Sequence, residues 1–165
     1  MELQKAQNMA DELIQFLLPL CKKAEVAGST RRKKLNVHDI EIVALPESIN
    51  NLKNKLGLHL LKMESKVGSK PFIKAGDKYI QFRYKGEQID LFLAEEDNWG
   101  LIYLIRTGSA VFSTHILATW KKVSGGGYSE NGYLHTADGR RIVTKEEIDV
   151  FKLCKMEFVE PELRQ

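Results

Sequence analysis

Residues 39–45, DIEIVAL, alternate acidic or small residues with branched apolar ones, which is the pattern of a strand. Side chains two apart on a strand leave the same face, so Asp39 and Glu41 point together. Ile40, Ile42 and Leu45 are expected on the other face, against a helical layer. A second segment, QIDLFLA, sets Asp90 in mid-strand between Ile89 and Leu91. A solitary carboxylate there is costly unless it is paired, protonated or metal-bound. If the two strands are neighbours, three carboxylates share one patch, and the fold must supply something to neutralise them.

Mutual repulsion raises the proton affinity of such a cluster unless a divalent cation relieves it. Hard oxygen ligands of this kind favour Mg2+ or Mn2+. A D-x-E on a strand is common, and water-exposed edge carboxylates are the plain alternative. The segment just upstream sharpens the reading. Gly28 and Ser29 follow the strand-like Glu25–Ala27 and precede Thr30, Arg31 and Arg32. Glycine permits a tight turn whose backbone N–H groups face an anion, the serine hydroxyl adds a donor, and arginine pairs bidentately with phosphate. Gly-Ser alone is an ordinary surface turn; followed by two arginines and D-x-E, it is far more specific.

Around these segments the chain reads as α+β, a mixed sheet with flanking helices followed by a small helix-and-hairpin unit. Residues 3–23 carry Leu3, Ala6, Met9, Ala10, Leu13, Ile14, Leu17 and Leu18 at helical spacing, with Pro19 near the end. A short strand is expected at 25–27 and a second helix at 47–62. Short strands separated by Gly68, Gly76 and Gly86 follow, the best being YIQFRY and QIDLFLA around a Lys85-Gly86-Glu87 turn. Thr107 or Ser109 caps a third helix to about Lys122, and Gly125-Gly126-Gly127 ends it. Turns at Asn131-Gly132 and Asp138-Gly139 mark a strand-rich patch, and Thr144 with Glu147 forms a capping box for a last helix. The expected division is 1–105 and 106–165.

The 165 residues are 43% hydrophobic and 28% charged, ordinary for a globular protein, with a net charge of only +3. Lys22, Lys23, Arg31, Arg32, Lys33 and Lys34 are nonetheless clustered, which suits a polyphosphate or nucleic-acid backbone as well as a solvated basic face. Cys21 and Cys154 make no disulfide framework, and His38, His59, His115 and His135 have no zinc-ligand spacing. No apolar stretch approaches a membrane span, and no signal core precedes the first helix. The expected setting is cytoplasmic or nucleoid-associated, compatible with a phage- or virus-encoded protein, and the expected state is a monomer without a membrane partner.

EVAGSTRRKKLNVHDIEIV resembles the nucleotide-binding and metal motif of family X DNA polymerases, the group that includes DNA polymerase beta. QIDLFLA looks like the strand bearing their third carboxylate, and LIRTGSAVF resembles the turn leading into their nucleotide-contacting helix. GYSENGYLH, TKEEIDVFKL and EFVEPELR resemble the C-terminal subdomain, so the similarity runs in order from about residue 10 to the end. The resemblance implies a polymerase beta-like nucleotidyltransferase palm in which Asp39, Glu41 and Asp90 ligate two Mg2+ or Mn2+ ions. It implies that Ser29 and Arg32 bind the β- and γ-phosphates of a nucleoside triphosphate at the Gly28 turn. Asp90 would stand nearest the attacking 3′-hydroxyl, and Thr107, Gly108 and Ser109 would form the turn beneath the sugar. The partner implied is DNA, as primer/template or gapped DNA, with residues 106–165 closing over the nucleotide.

The departures from the family pattern carry their own expectations. Glu41 stands where Asp is usual, and Val37-His38 replaces the small pair before the first aspartate; His38 is read as space-filling. Ile105 and Arg106 replace an aromatic pair that crowds the 2′-hydroxyl, so sugar discrimination is expected to be weak. Ala110, Ser113 and Leu117 replace polar contacts to base or template. Trp99, Trp120 and Tyr128 are read as packing before base stacking. The family's N-terminal lyase elements have no counterpart before residue 10, and no lyase activity is expected. The alternatives are a template-independent transferase, or one acting on RNA or a protein hydroxyl, and a catalytically inactive nucleic-acid-binding module.

Overall fold

The computed structural model describes residues 1–64 and 70–164; of Glu64 only the backbone is described. Gly68, expected to separate two strands, lies outside the described residues. The chain divides into two compact units, Met1–Ala94 and Glu95–Gln165, a division earlier than the expected one at residue 105.

The first unit opens with α1 (Leu3–Leu17), whose Ala6, Met9, Ala10, Leu13 and Leu17 are buried. The helix stops before the expected residue 23. Pro19 falls in a single 3-10 turn, Leu18–Leu20, and the chain then enters β1 (Cys21–Val26). Proline ends the helical hydrogen bonding, and the strand pairing of Cys21–Val26 competes successfully for the residues that follow. After α2 (Gly28–Arg31) come β2 (Ile40–Pro46), α3 (Ile49–Glu64), β3 (Lys74–Ala75), β4 (Tyr79–Tyr84) and β5 (Glu87–Leu93). The five strands form one mixed sheet in the order β1-β2-β5-β4-β3. β2 and β5 are parallel neighbours, and the remaining pairs are antiparallel.

Strand alternation gives the sheet one apolar face. Ile40, Ile42, Ala44, Ile80, Phe82, Tyr84, Ile89, Leu91 and Leu93 join α1 and Leu52, Leu56 and Leu60 of α3 in one core. Leu45, expected on this face, is buried but falls in the odd-numbered series of Glu41 and Val43, outside that core. β4 and β5 are joined by Lys85 and Gly86, with φ of 50° and 86°, the two positive values of a tight hairpin turn. Glu87 already belongs to the strand, opposite Tyr84.

The second unit contains α4 (Trp99–Thr107), α5 (Ala110–Val123), a three-stranded sheet of β6 (Tyr128–Glu130), β7 (Tyr133–His135) and β8 (Arg141–Ile142), and α6 (Glu147–Leu153). α4 was not expected from the sequence and runs through residue 105. Its core-facing Leu101 and Leu104 pack with Ile116, Trp120, Leu134, Val150, Phe151 and Cys154. At Gly100 a Cβ would collide with the backbone of Glu146 and stand 3.0 Å from the Glu147 nitrogen, so only glycine lets α4 approach the start of α6.

The capping box of α6 is made by Glu146 and Asp149. Thr144, expected to cap, instead accepts from the Leu101 N–H with its hydroxyl at 3.3 Å. Near the C-terminus Arg164 is fully buried, donating to Glu147 Oε1 at 2.6 Å and to the Val159 carbonyl at 2.9 Å. Its guanidinium lies 5.3–5.4 Å from the ring centres of Phe112, Phe151 and Phe158. No helix among the described residues is long and apolar enough to cross a membrane.

Candidate active site

The face of the first sheet opposite the apolar core carries the carboxylates. Glu41 on β2 stands directly across the parallel ladder from Asp90 on β5. Asp39, expected to open the strand, lies just before it in the connection, and its carboxyl reaches Asp90. Burial raises the Asp39 carboxyl above the ordinary carboxylate range, and the Asp90 charge and a side-chain hydrogen bond with Asp90 push it the same way. A backbone hydrogen bond and the charge of His38 pull it partly back. His38 is exposed, so it contributes charge here more than filling.

Glu41 does not join the pair in this conformation. Its carboxylate folds over Gly28, where an added Cβ would overlap Oε2, lie 2.7 Å from Cδ and lie 3.1 Å from the Glu41 Cβ. Gly28 has a φ of 58°, so glycine is required both for the backbone and for this approach. Among the described residues no three His, Cys, Asp or Glu side chains are grouped to hold a metal ion. The expected three-way convergence is therefore a pair, Asp39 with Asp90, plus a third carboxylate that stands across the ladder from Asp90 and turns toward Gly28. The extra methylene of glutamate gives it that reach.

The turn at Gly28 is laced to the carboxylate strand, with the Ala27 N–H donating to the Glu41 carbonyl at 2.8 Å. In α2 the first intrahelical bond is that from the Arg31 N–H to the Ala27 carbonyl, at 3.1 Å. The first turn of a helix leaves its leading N–H groups without intrahelical partners, here those of Gly28, Ser29 and Thr30. Ser29 and Arg32 are partly exposed, and Thr30 is buried with no hydrogen-bond partner for its hydroxyl among the described residues.

Thr107, Gly108 and Ser109 lie in the second unit, at the corner between α4 and α5. Thr107 is buried, and Gly108 has a φ of 68° and donates its N–H to the Leu104 carbonyl. The Gly108–Ser109 peptide is cis. Of the two expected caps it is Ser109 that caps α5, accepting from the Phe112 N–H at 3.3 Å. Ser113 is buried and donates to the Ile105 carbonyl, and Ile105 and Leu117 pack on the unit's core, whereas Arg106 is exposed. Trp99 and Trp120 are buried, and Tyr128 is exposed and stacked on His135 with ring centres 4.9 Å apart.

Sequence reasoning missed three residues around Asp90: Tyr79, Gln81 and Gln88, all hydrogen-bonded to its carboxylate. The signal was present, since polar residues two apart on paired strands share the face of a mid-strand carboxylate.

Comparison with known proteins shows similarity in both sequence and fold. Residues 102–165 match the family model for the DNA polymerase beta thumb. The whole chain has the fold of Leishmania infantum polymerase beta, solved as a ternary P/T complex, with a TM-score of 0.76 and 17% identity over 100% of this chain and 76% of that one. No curated protein matches the chain by sequence. The α+β chain, with its mixed sheet and flanking helices, is thus polymerase beta-like in fold, and its residues 102–165 are similar to the polymerase beta thumb.

Proposed function

We propose that this chain is a small nucleotidyltransferase of the family X type, adding a nucleotide from a nucleoside triphosphate to a nucleic-acid 3′-hydroxyl. The observation that carries the proposal is the juxtaposition of Asp39 and Asp90, with Glu41 in register beside them and the Gly28 turn hydrogen-bonded to the Glu41 strand.

The donor set fits a hard divalent cation. Two converging carboxylates, one with raised proton affinity, gain most from a positive charge placed between them. Asp39 and Asp90 would hold it, with Glu41 added by rotation away from Gly28. Bound divalent ions supply charge neutralisation on the triphosphate and a lower pKa for the attacking hydroxyl. The chain's own groups do the rest. Ser29 and Arg32 bind the terminal phosphates, Arg32 through its planar fork, and Asp90 accepts a hydrogen bond from the 3′-hydroxyl. Thr107, Gly108 and Ser109 are assigned to the sugar, and the thumb-type unit to DNA.

The test is primer extension on single-stranded, nicked and gapped DNA and on RNA, with ribo- and deoxynucleotides and Mg2+ or Mn2+. Asp90→Asn is expected to abolish most turnover while nucleotide binding, measured by titration, survives. Extension by Asp90→Asn at the wild-type rate would refute the assignment. Addition without a template would move the reading to a template-independent transferase.

A further inference from the structure

Asp90 is only 9% exposed, and besides its hydrogen bond with Asp39 its carboxylate is held by neutral donors. Gln81 faces it directly across the β4–β5 ladder, Gln88 lies two residues before it, and Tyr79 lies two residues before Gln81. The two oxygens are treated differently. Oδ1 accepts from the Tyr79 hydroxyl at 2.8 Å and from Gln81 Nε2 at 3.0 Å, with Gln88 Nε2 at a longer 3.4 Å. Oδ2 accepts from Gln88 Nε2 at 3.2 Å. A carboxylate oxygen offers about two lone-pair positions, so the neutral donors fill Oδ1, while of the three only Gln88 reaches Oδ2.

The Tyr79 ring is itself fixed. It stacks on Phe92 with centres 5.1 Å apart, and Lys74 Nζ lies 5.6 Å from its centre. A neutral clamp suits this position. It orients the carboxylate without placing a cation next to it, which would compete with a bound divalent ion for the same charge.

We propose that Tyr79 and Gln81 are positioning residues for Asp90, fixing Oδ1 so that Oδ2 is the oxygen offered to the cation and the attacking hydroxyl. The inference rests on the function proposed above.

The experiment titrates the full chain with Mn2+, following the unbound ion by electron paramagnetic resonance, and measures kcat, KM and melting temperature for primer extension. The wild type, Asp90→Asn, Tyr79→Phe and Gln81→Met are compared. Tyr79→Phe keeps the ring and removes only the hydroxyl. It is expected to weaken Mn2+ binding and lower kcat by about tenfold each, the size of one charge-assisted hydrogen bond, with nucleotide KM within about twofold of wild type. Gln81→Met is expected to act in the same direction and serves if Tyr79→Phe does not fold. A lowered melting temperature with unchanged Mn2+ affinity and kcat in the folded protein is the result of a purely structural role and overturns the proposal. If Asp90→Asn impairs Mn2+ binding and neither clamp variant does, the positioning role alone fails. If Asp90→Asn leaves Mn2+ binding unchanged, the active-site reading fails and the clamp with it.

Discussion

Replacing Gly28 by alanine tests the resting position of Glu41. Two costs follow from the geometry. A residue with a Cβ held at a φ of 58° pays about 1–2 kcal/mol for the left-handed conformation. The new methyl group also overlaps the Glu41 carboxylate and lies 3.1 Å from the Glu41 Cβ. To make room the carboxylate must leave its rotamer, which adds an off-rotamer penalty of about 0.5–1.5 kcal/mol. The expected loss is about 2–3 kcal/mol, a fall of roughly 5–10 °C in melting temperature for a chain of this size. The assay is a double-mutant cycle by thermal unfolding, with Gly28→Ala made in the wild type and in Glu41→Ala. In the Glu41→Ala background only the backbone cost and the Cβ contact remain, so the penalty should shrink by about 0.5–1.5 kcal/mol. Equal penalties in the two backgrounds would show that the Glu41 carboxylate does not lie on Gly28, and the account of the parked third carboxylate would be wrong.

Two further outcomes follow. Arg164→Ala should cost the second unit about 3–5 kcal/mol in chemical denaturation, because Glu147 is left as a buried charge without its guanidinium partner. Asp39→Asn should stabilise the protein without divalent ions at neutral pH, on the order of 0.5–1 kcal/mol. The sign follows from the raised Asp39 carboxyl: its stability contribution is complete below the unfolded value and is lost as pH rises through the folded one. The advantage of the Asp39→Asn variant should therefore appear above the carboxylate range in melts from about pH 3 to 8, and Mg2+ should stabilise the wild type more than the variant.

Much of the first unit was legible because period-two patterning is a backbone property. Ile40, Ile42, Ile89 and Leu91 fall on the core face, which leaves Glu41 and Asp90 on the other, as alternation requires. Element ends were less legible. β1 took Cys21–Val26 because that strand pairs with β2, a long-range contact invisible in the helical spacing of the preceding residues. α4 was hidden because a buried helix of nine residues, WGLIYLIRT, has too little polar punctuation to show an amphipathic period. Thr144 had the spacing of a cap but lies where its hydroxyl meets the Leu101 N–H, leaving the cap to Glu146. At the site, residue types singled out three carboxylates as candidates, and rotamers decided which of them meet. No sequence pattern states that Glu41 turns to Gly28.

That rotamer leads to a last prediction. Three carboxylates on one face repel one another, and folding Glu41 over Gly28 relieves part of that repulsion while Asp39 and Asp90 remain together. Glutamate can do this because it is one methylene longer than the aspartate of the family pattern; a shorter side chain at the same position opposite Asp90 is drawn back toward the pair. Glu41→Asp should therefore destabilise the cation-free protein at neutral pH, by on the order of 1 kcal/mol. The same change should strengthen Mn2+ binding, because less rotation is needed to complete the donor set. The two effects have opposite signs in one variant, which separates this account from simple damage to the fold. Damage would lower stability and weaken Mn2+ binding together, and that joint loss, measured by melting and by the Mn2+ titration, would refute the argument.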